Sequence, residues 1–300
     1  MLRWLFGGLT AGLLAWVGLQ LAVDPYGVWG TPPLACCTTR KVAQLDTERL
    51  FKPYQLTRQP ARVVWLGSSR VHTGFAATWP GVPDQQVYNL ALDGLHVPEL
   101  VAMVDFLLAR PETTPEVLVL GVDLFMVSRR ARAPRRGFSQ ARLDTLAQRP
   151  VQGWWLQFKE TVLARQAVVA SIRTLLAGAG PPVSVRGHDV GTVHPAWEDA
   201  LAIEDTTTYA GFSLSQHDLD SLVGAVHRLR ENGVEVVVFT PPIHDDLQAL
   251  VDKHGLTDIQ HILRQTLSIP APLPELTADR SAFSDPGHIK PGVRISDITY

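Results

Sequence analysis

The sequence predicts an α/β domain with a mainly parallel sheet, preceded by one transmembrane helix. Short β-branched apolar runs recur along the chain, amphipathic helical patterns lie between them, and a single long uncharged stretch opens it. Strands that are apolar throughout are buried on both faces, and their alternation with helices is the pattern of parallel crossover connections. With 300 residues, 46% of them hydrophobic and 19% charged, the chain can bury a core without disulfide or metal staples and is too apolar for disorder. Its 27 Lys and Arg against 29 Asp and Glu leave a net charge of −2. That balance argues against nucleic acid held through a basic surface. A polytopic membrane protein needs several long apolar runs, and the sequence has one.

That run comes first. Residues 4–23 carry no charge, follow Arg3 and are closed by Asp24; as a helix they reach about 30 Å, the thickness of a bilayer's hydrocarbon core. The exit Gln20-Leu21-Ala22-Val23-Asp24-Pro25 is a poor cleavage site, so residues 1–23 read as an uncleaved anchor rather than a signal peptide. Arg3 ahead of the span places the N-terminus in the cytoplasm. The expectation is a single-pass protein of the inner (cytoplasmic) membrane with its C-terminal domain in the periplasm or extracellular space. The mean hydropathy of +0.06 owes its sign to this segment.

Residues 24–60 read as a neck and a first helix at about 40–51. Cys36 and Cys37 are adjacent. Two cysteines cannot build a structural zinc site alone, and sequence neighbours rarely form an unstrained disulfide. They read as two half-buried small residues in a juxtamembrane loop, with pairing between chains as the other reading. Strand signals follow at 62–67, 86–90, 116–121 and 234–240, and helical patterns at 98–109, 151–177 and 215–232. In the last helix Leu219, Leu222, Val223, Val226 and Leu229 recur at three- and four-residue spacing, and Asn232-Gly233 supplies the stop. The Gly/Pro/His-rich stretch 178–208 reads as a long loop. Segment 129–137 carries Arg129, Arg130, Arg132, Arg135 and Arg136 and reads as an exposed loop, solvated or in contact with an anionic polymer or lipid headgroups. The layout is thus an α/β domain over 61–300 with a helical and loop insertion at about 129–212.

Open parallel sheets gather functional groups at the carboxyl ends of their strands. After the first run stands Gly67-Ser68-Ser69-Arg70, after the second Asn89-Leu90-Ala91-Leu92-Asp93-Gly94, after the third Gly121-Val122-Asp123, and after the fourth Thr240-Pro241-Pro242-Ile243-His244. Ser284-Asp285-Pro286-Gly287-His288 comes late in the chain. A serine on a tight glycine turn with a late Asp-x-x-His supplies the parts of a hydrolase triad: nucleophile, base and orienting carboxylate. Each part also has a structural reading. Ser69 could cap a helix, Asp285 and His288 could form a turn and a surface ion pair, Asn89 could tie loops together, and Arg70 could pair with Asp93 or Asp123. His244 reads as a helix start at the pocket rim, and His72 and His96 as rim residues. No Gly-x-Gly-x-x-Gly fingerprint or P-loop is present, which argues against a nucleotide enzyme.

At these residues the chain resembles the SGNH (GDSL-like) hydrolase superfamily, and within it the membrane-anchored bacterial SGNH-like proteins whose first block reads Gly-Ser-Ser-Arg. Asp24-Pro25-Tyr26-Gly27 and the Pro-Pro-Ile-His after the fourth run resemble the same branch. The resemblance implies a flavodoxin-like three-layer α/β/α sandwich. It implies Ser69 as nucleophile, His288 as base and Asp285 as its orienting partner, with Gly94 offering an oxyanion N–H. Asn89, Asp123 and Arg70 fall in the oxyanion or substrate-binding set, and Asp123 stands where the family has an asparagine. An ionised carboxylate there would repel the oxyanion, and one lost donor costs about 10²–10³ in rate. Either Asp123 is protonated, or Asn89 or Arg70 supplies the donor, or the site is slow, or it does no chemistry. The activity implied is that of a serine esterase or acyltransferase on acyl esters, of a cell-envelope glycan, with no metal or organic cofactor. Implied partners are the membrane, an acylated glycan or other small ester substrate, and proteins of an envelope complex, with no nucleic acid. The alternative is a non-catalytic module of the same fold that binds polymer or scaffolds an acyl-transfer complex, which Asp123 favours.

Overall fold

The computed structural model describes residues 2–131, 135–190, 192–269 and 277–291; Arg132 lies outside them. In chain order these form α1 (Leu2–Val23), α2 (Glu48–Arg58), β1 (Val63–Leu66), α3 (Ser69–Gly74), β2 (Val87–Asn89), α4 (Val97–Leu108), β3 (Val117–Gly121), α5 (Gln140–Gln148), α6 (Pro150–Phe158) and α7 (Arg165–Ala177). A small hairpin β4–β5 (Ser184–Val185, His188–Asp189), α8 (Trp197–Ile203), α9 (Gln216–Glu231), β6 (Glu235–Phe239), α10 (Asp245–Lys253), α11 (Thr257–Leu267) and a second hairpin β7–β8 (Phe283–Asp285, His288–Ile289) follow.

All four apolar runs are strands of one parallel sheet, in the order β2-β1-β3-β6. Val63 stands beside Val87 on one side and Val117 on the other, and Val117 beside Glu235. Although these strands are apolar at nearly every position, the two-residue period still divides them between two cores. Val64, Leu66, Leu118 and Leu120 face the larger core with Leu100, Val104, Leu222 and Leu229 from α4 and α9. Val63, Trp65, Val119 and Phe239 face the other core with Val71 and Phe75 from the α3 region and with Phe283 and Ile289 from the β7–β8 hairpin. The fold is therefore mixed α/β around a buried parallel sheet.

Three segments depart from the sequence expectation. The first domain helix runs Glu48–Arg58 rather than 40–51, after a 3₁₀ turn at Val42–Asp46; its buried side chains continue past Phe51 to Tyr54 and Leu56, and burial sets its extent. The 151–177 pattern is two helices broken by a π turn at Lys159–Leu163, with Ala164 extended ahead of α7. The break lets α6 pack on α5 while α7 packs on α1. The 178–208 stretch, read as loop, contains β4–β5 and α8.

Helix α1 is long and apolar enough to cross a membrane, with a mean hydropathy of 1.6 over Arg3–Val23. Only 11% of its apolar window is buried, unlike a core helix. Its end, however, is built into the domain. Asp24 accepts N–H bonds from Val28, Trp29 and Gly30 at 2.9–3.1 Å, and Lys41 Nζ donates to the carbonyls of Val23 and Asp24, a cation where the helix dipole favours one. Cys36 and Cys37, read as half-buried small residues or as partners in pairing between chains, are joined to each other by a disulfide.

Candidate active site

The site is built at the carboxyl ends of β1 and β2. Gly67 turns the chain out of β1, and Ser68 takes the N-cap position of α3, its Oγ accepting from the Arg70 N–H at 3.2 Å. Two adjacent serines thus divide two tasks: Ser68 caps the helix, and Ser69, its first residue, is left to face the cleft. Ser69 Oγ lies 2.9 Å from His288 Nε2. His288 Nδ1 lies 2.8 and 2.9 Å from the two carboxylate oxygens of Asp285, which fixes the imidazole with its Nδ1 protonated and its Nε2 free to accept from the serine hydroxyl. Asp285 and His288 sit on the two arms of the β7–β8 hairpin, anchored by Phe283 and Ile289 under the sheet. Helix α3 approaches that hairpin so closely that a side chain at Gly74 would meet Ile289 Cγ1 at 2.7 Å.

One participant is absent from the sequence reading. His194 Nδ1 lies 2.8 Å from Asp285 Oδ2, and its ring stands 4.9 Å from that of His288. His194 follows the β4–β5 hairpin in the chain, and that hairpin is pinned beside β2 and α3: the Arg186 carbonyl accepts from the Asn89 N–H at 2.8 Å, and the His188 ring bonds the His72 carbonyl at 3.0 Å. No local spacing links His194 to Asp285, so only the fold could reveal the contact. Asp285 accepts from both imidazoles and from the Gly287 N–H. Burial alone would raise its pKa, but the hydrogen bonds from His194, His288 and Gly287 hold it well below the usual carboxylate range. His194, Asp285 and His288 are also a group whose donor atoms, within 4.8 Å of one another, could hold a metal ion. In this arrangement the same atoms bond to each other and to Ser69.

The residues open onto a cleft of about 340 Å³ lined by Ser69, Gly94, His194 and His288, with Phe125, Arg135 and Glu204 on its walls. Gly94 has φ +55°, a left-handed conformation that glycine adopts without strain, and the Arg135 guanidinium occupies the space where a side chain at 94 would stand. The described residues offer no hydrogen-bond acceptor to the Ser69 or Gly94 amides. Ser69 and Gly94 line the same cleft. No family model, curated protein or solved structure matches the chain.

Three expected site residues turn away from the cleft. Asn89 is buried and fully engaged: its Nδ2 donates to the carbonyls of Val71 and Phe75 at 3.0 and 3.2 Å, and its Oδ1 accepts from the Ala91 N–H at 3.0 Å. It ties β2 to α3 and has no donor left for an oxyanion. Asp123 is also buried; it accepts a hydrogen bond from the Ser68 hydroxyl and pairs with Arg70 Nη1 at 2.5 Å. Arg70 reaches Glu204 at 3.3 Å with its other nitrogen and packs over Phe125. Burial opposes its charge, but Asp123, Tyr209 and Glu204 together outweigh burial and raise its pKa. The pair is a buried ion bridge, and neither side chain is among those that line the cleft. His72 and His96, read as rim residues, are buried. His72 bonds Asp93 at 2.8 Å; burial would raise the Asp93 pKa, but this bond and its charge lower it to about 2. His244 starts α10 as expected, its Nδ1 accepting from the Asp246 N–H at 3.1 Å.

Proposed function

We propose that the chain is a membrane-anchored, extracytoplasmic SGNH-like serine esterase or acyltransferase that acts on acyl esters of a cell-envelope glycan. The observation that carries the reading is the continuous hydrogen-bond line from Ser69 Oγ through His288 to Asp285 on the wall of an open cleft. Ser69 attacks the ester carbonyl as His288 Nε2 takes the hydroxyl proton, and Asp285 stabilises the imidazolium that results. The oxyanion of the tetrahedral intermediate is received by the amides of Ser69 and Gly94, and the Arg135 guanidinium adds positive charge next to Gly94. His288 returns its proton to the departing alcohol, which leaves an acyl-Ser69. Water or a second hydroxyl, deprotonated by His288, then takes the acyl group, giving hydrolysis or transfer.

The sheet order supports the flavodoxin-like, three-layer reading: its strands stand second, first, third and fourth in sequence order, which is the flavodoxin order without the fifth strand. Ser69 follows β1 at the switch point between β1 and β3, where such sheets place their ligands. Helix α1 supports anchoring, and the glycan follows from the family resemblance and the anchored topology. Asp123 favours a non-catalytic module in the sequence; its pairing with Arg70 and its absence from the cleft lining weigh against that reading. The test is a serine-directed fluorophosphonate probe on the full chain in detergent micelles. Wild type should label and Ser69→Ala should not. An unlabelled wild type, under conditions that label a control serine esterase, would overturn the enzymatic reading.

A further inference from the structure

The α6–α7 region exposes an unusual quantity of apolar surface for a water-facing domain. Val151 is 75% exposed, Trp155 59% and Leu176 83%, with Trp154, Leu163, Val169 and Ile172 also open. Isolated exposed apolar residues need no explanation, but a contiguous patch does. On α7, Val169, Ile172 and Leu176 fall on one face at three- and four-residue spacing, opposite the buried Ala167, Ala170 and Thr174.

The patch adjoins α1. Ser171 Oγ on α7 donates to the buried Gln20 of α1 at 2.7 Å, and α1 also packs on the π turn between α6 and α7. Trp29, six residues past the end of α1, donates through Nε1 to Thr161 in that π turn at 3.0 Å. It also meets Trp154 and Phe158 edge-on at 6.1 and 6.2 Å, and Trp155 completes the cluster at 5.1 Å from Trp154. Asp24 holds Trp29 at the helix end by accepting its N–H. The aromatic cluster is therefore fixed at the depth where α1 ends.

Length then constrains where that depth lies. A helix of 22 residues reaches about 33 Å, scarcely more than the hydrocarbon core of about 30 Å. If α1 crosses the bilayer it needs nearly its whole length to do so, including the last turns that carry Gln20 and touch α7. α7 is then drawn to the bilayer surface. Tryptophans concentrate at that level, and Arg149, Lys159 and Arg165 on this stretch, against the single acid Glu160, match anionic headgroups, while Arg173 pairs with Asp46 at 3.1 Å.

We propose that α6, the π turn and α7 form a second membrane-contacting element, lying in the interface of the leaflet from which α1 emerges, with Trp154, Trp155, Ile172 and Leu176 in contact with lipid. The inference rests on the reading of α1 as a span. The catalytic domain is then seated on the bilayer rather than hung from a flexible neck, and its cleft is held at a fixed height above the leaflet.

The test uses the full chain with Cys36→Ser and Cys37→Ser. Single cysteines replace Leu13, Trp155, Leu176 and Asp220 in turn, each carries a spin label, and the protein is reconstituted in phosphatidylcholine–phosphatidylglycerol vesicles. The ratio of collisions with oxygen to collisions with a water-soluble nickel chelate reads depth. It should be highest at 13, several-fold above the exposed control at 220 for 155 and 176, and lowest at 220. Water-like ratios at 155 and 176 with a lipid-like ratio at 13 would overturn the docking and leave the span standing. A water-like ratio at 13 would overturn the span and the docking geometry together. Spin–spin broadening at 176 with a low oxygen ratio would assign the patch to a second copy and overturn the lipid assignment.

Discussion

Asp285 accepts N–H bonds from His288, His194 and Gly287, yet the two histidines are not equivalent, because only His288 reaches Ser69. In the proposed reaction, removing His288 takes away the proton acceptor, whereas removing His194 takes away one hydrogen bond to a carboxylate still held by two others. His288→Ala should lower the rate of probe labelling by about 10⁴–10⁶. His194→Ala should lower it by no more than about 10²-fold, the worth of a hydrogen bond to a charged group. Equal losses in the two variants would show that His288 is not the base by itself. The adjacent serines separate in a similar way. Ser68→Ala removes a helix cap and a buried bond to Asp123 and should cost about 1–3 kcal/mol of stability while labelling at Ser69 persists. Ser69→Ala should do the reverse, which paired denaturation and labelling measurements would establish.

Between elements, the decisive contact is the close approach of α3 to β8 at Gly74. It brings the hairpin carrying Asp285 and His288 against the helix that begins with Ser69. Gly74→Val should overpack this seam, cost about 1–3 kcal/mol and slow labelling by moving His288 away from Ser69. Gly224→Ala on α9, whose new methyl group would meet nothing nearer than Arg228 Nη1 at 3.7 Å, should be neutral or slightly stabilising. A Gly74 variant that unfolds more readily but labels at the wild-type rate would detach the seam from the chemistry. The same scale shows what the sequence leaves legible. The four strands are visible because β-branched runs carry their own burial pattern, and Ser69 is visible because it follows one of them. The break between α6 and α7 is not visible, because two successive amphipathic stretches present one continuous period until α5 and α1 claim different faces.

Across the whole molecule, buried groups kept uncharged set the response to pH. Burial lowers the pKa of His96 and of His188 to about 4, and full burial lowers that of Lys52, whose Nζ donates to the Ala91 carbonyl, to about 7. In the unfolded chain these groups titrate near their ordinary values, about 6.5 and about 10.4. As pH falls from about 6.5 to 4, the unfolded state binds protons at His96 and His188 that the native state refuses, so stability falls. Lys52 acts with the same sign between about 10 and 7: the unfolded lysine is charged there and the native one is not. The thermal midpoint of the full chain should therefore drop steadily from pH 7 to pH 4. In Lys52→Met the rise in stability from pH 7 to pH 9 should flatten relative to wild type. A midpoint independent of pH from 7 to 4 would mean that the buried histidines do not stay neutral.

The amino-acid sequence by itself determined the parallel-sheet class, the apolar N-terminal helix and the order of Ser69, Asp285 and His288. Each of these rests on local information: a period of two or of 3.6, an uncharged run, or a short motif beside a strand end. Tertiary structure alone decided which polar side chains meet. Asp123 could not be assigned to ion pair or cleft until the fold set it beside Ser68 and Arg70, and Asn89 could not be placed in cleft or core until its side chain met Val71, Phe75 and Ala91. His194 joined Asp285 from 91 residues away, with no local spacing to announce it. The physical reason is common to all of them. A polar group removed from water must find a partner, and the partner available is set by proximity in space, which no local period encodes.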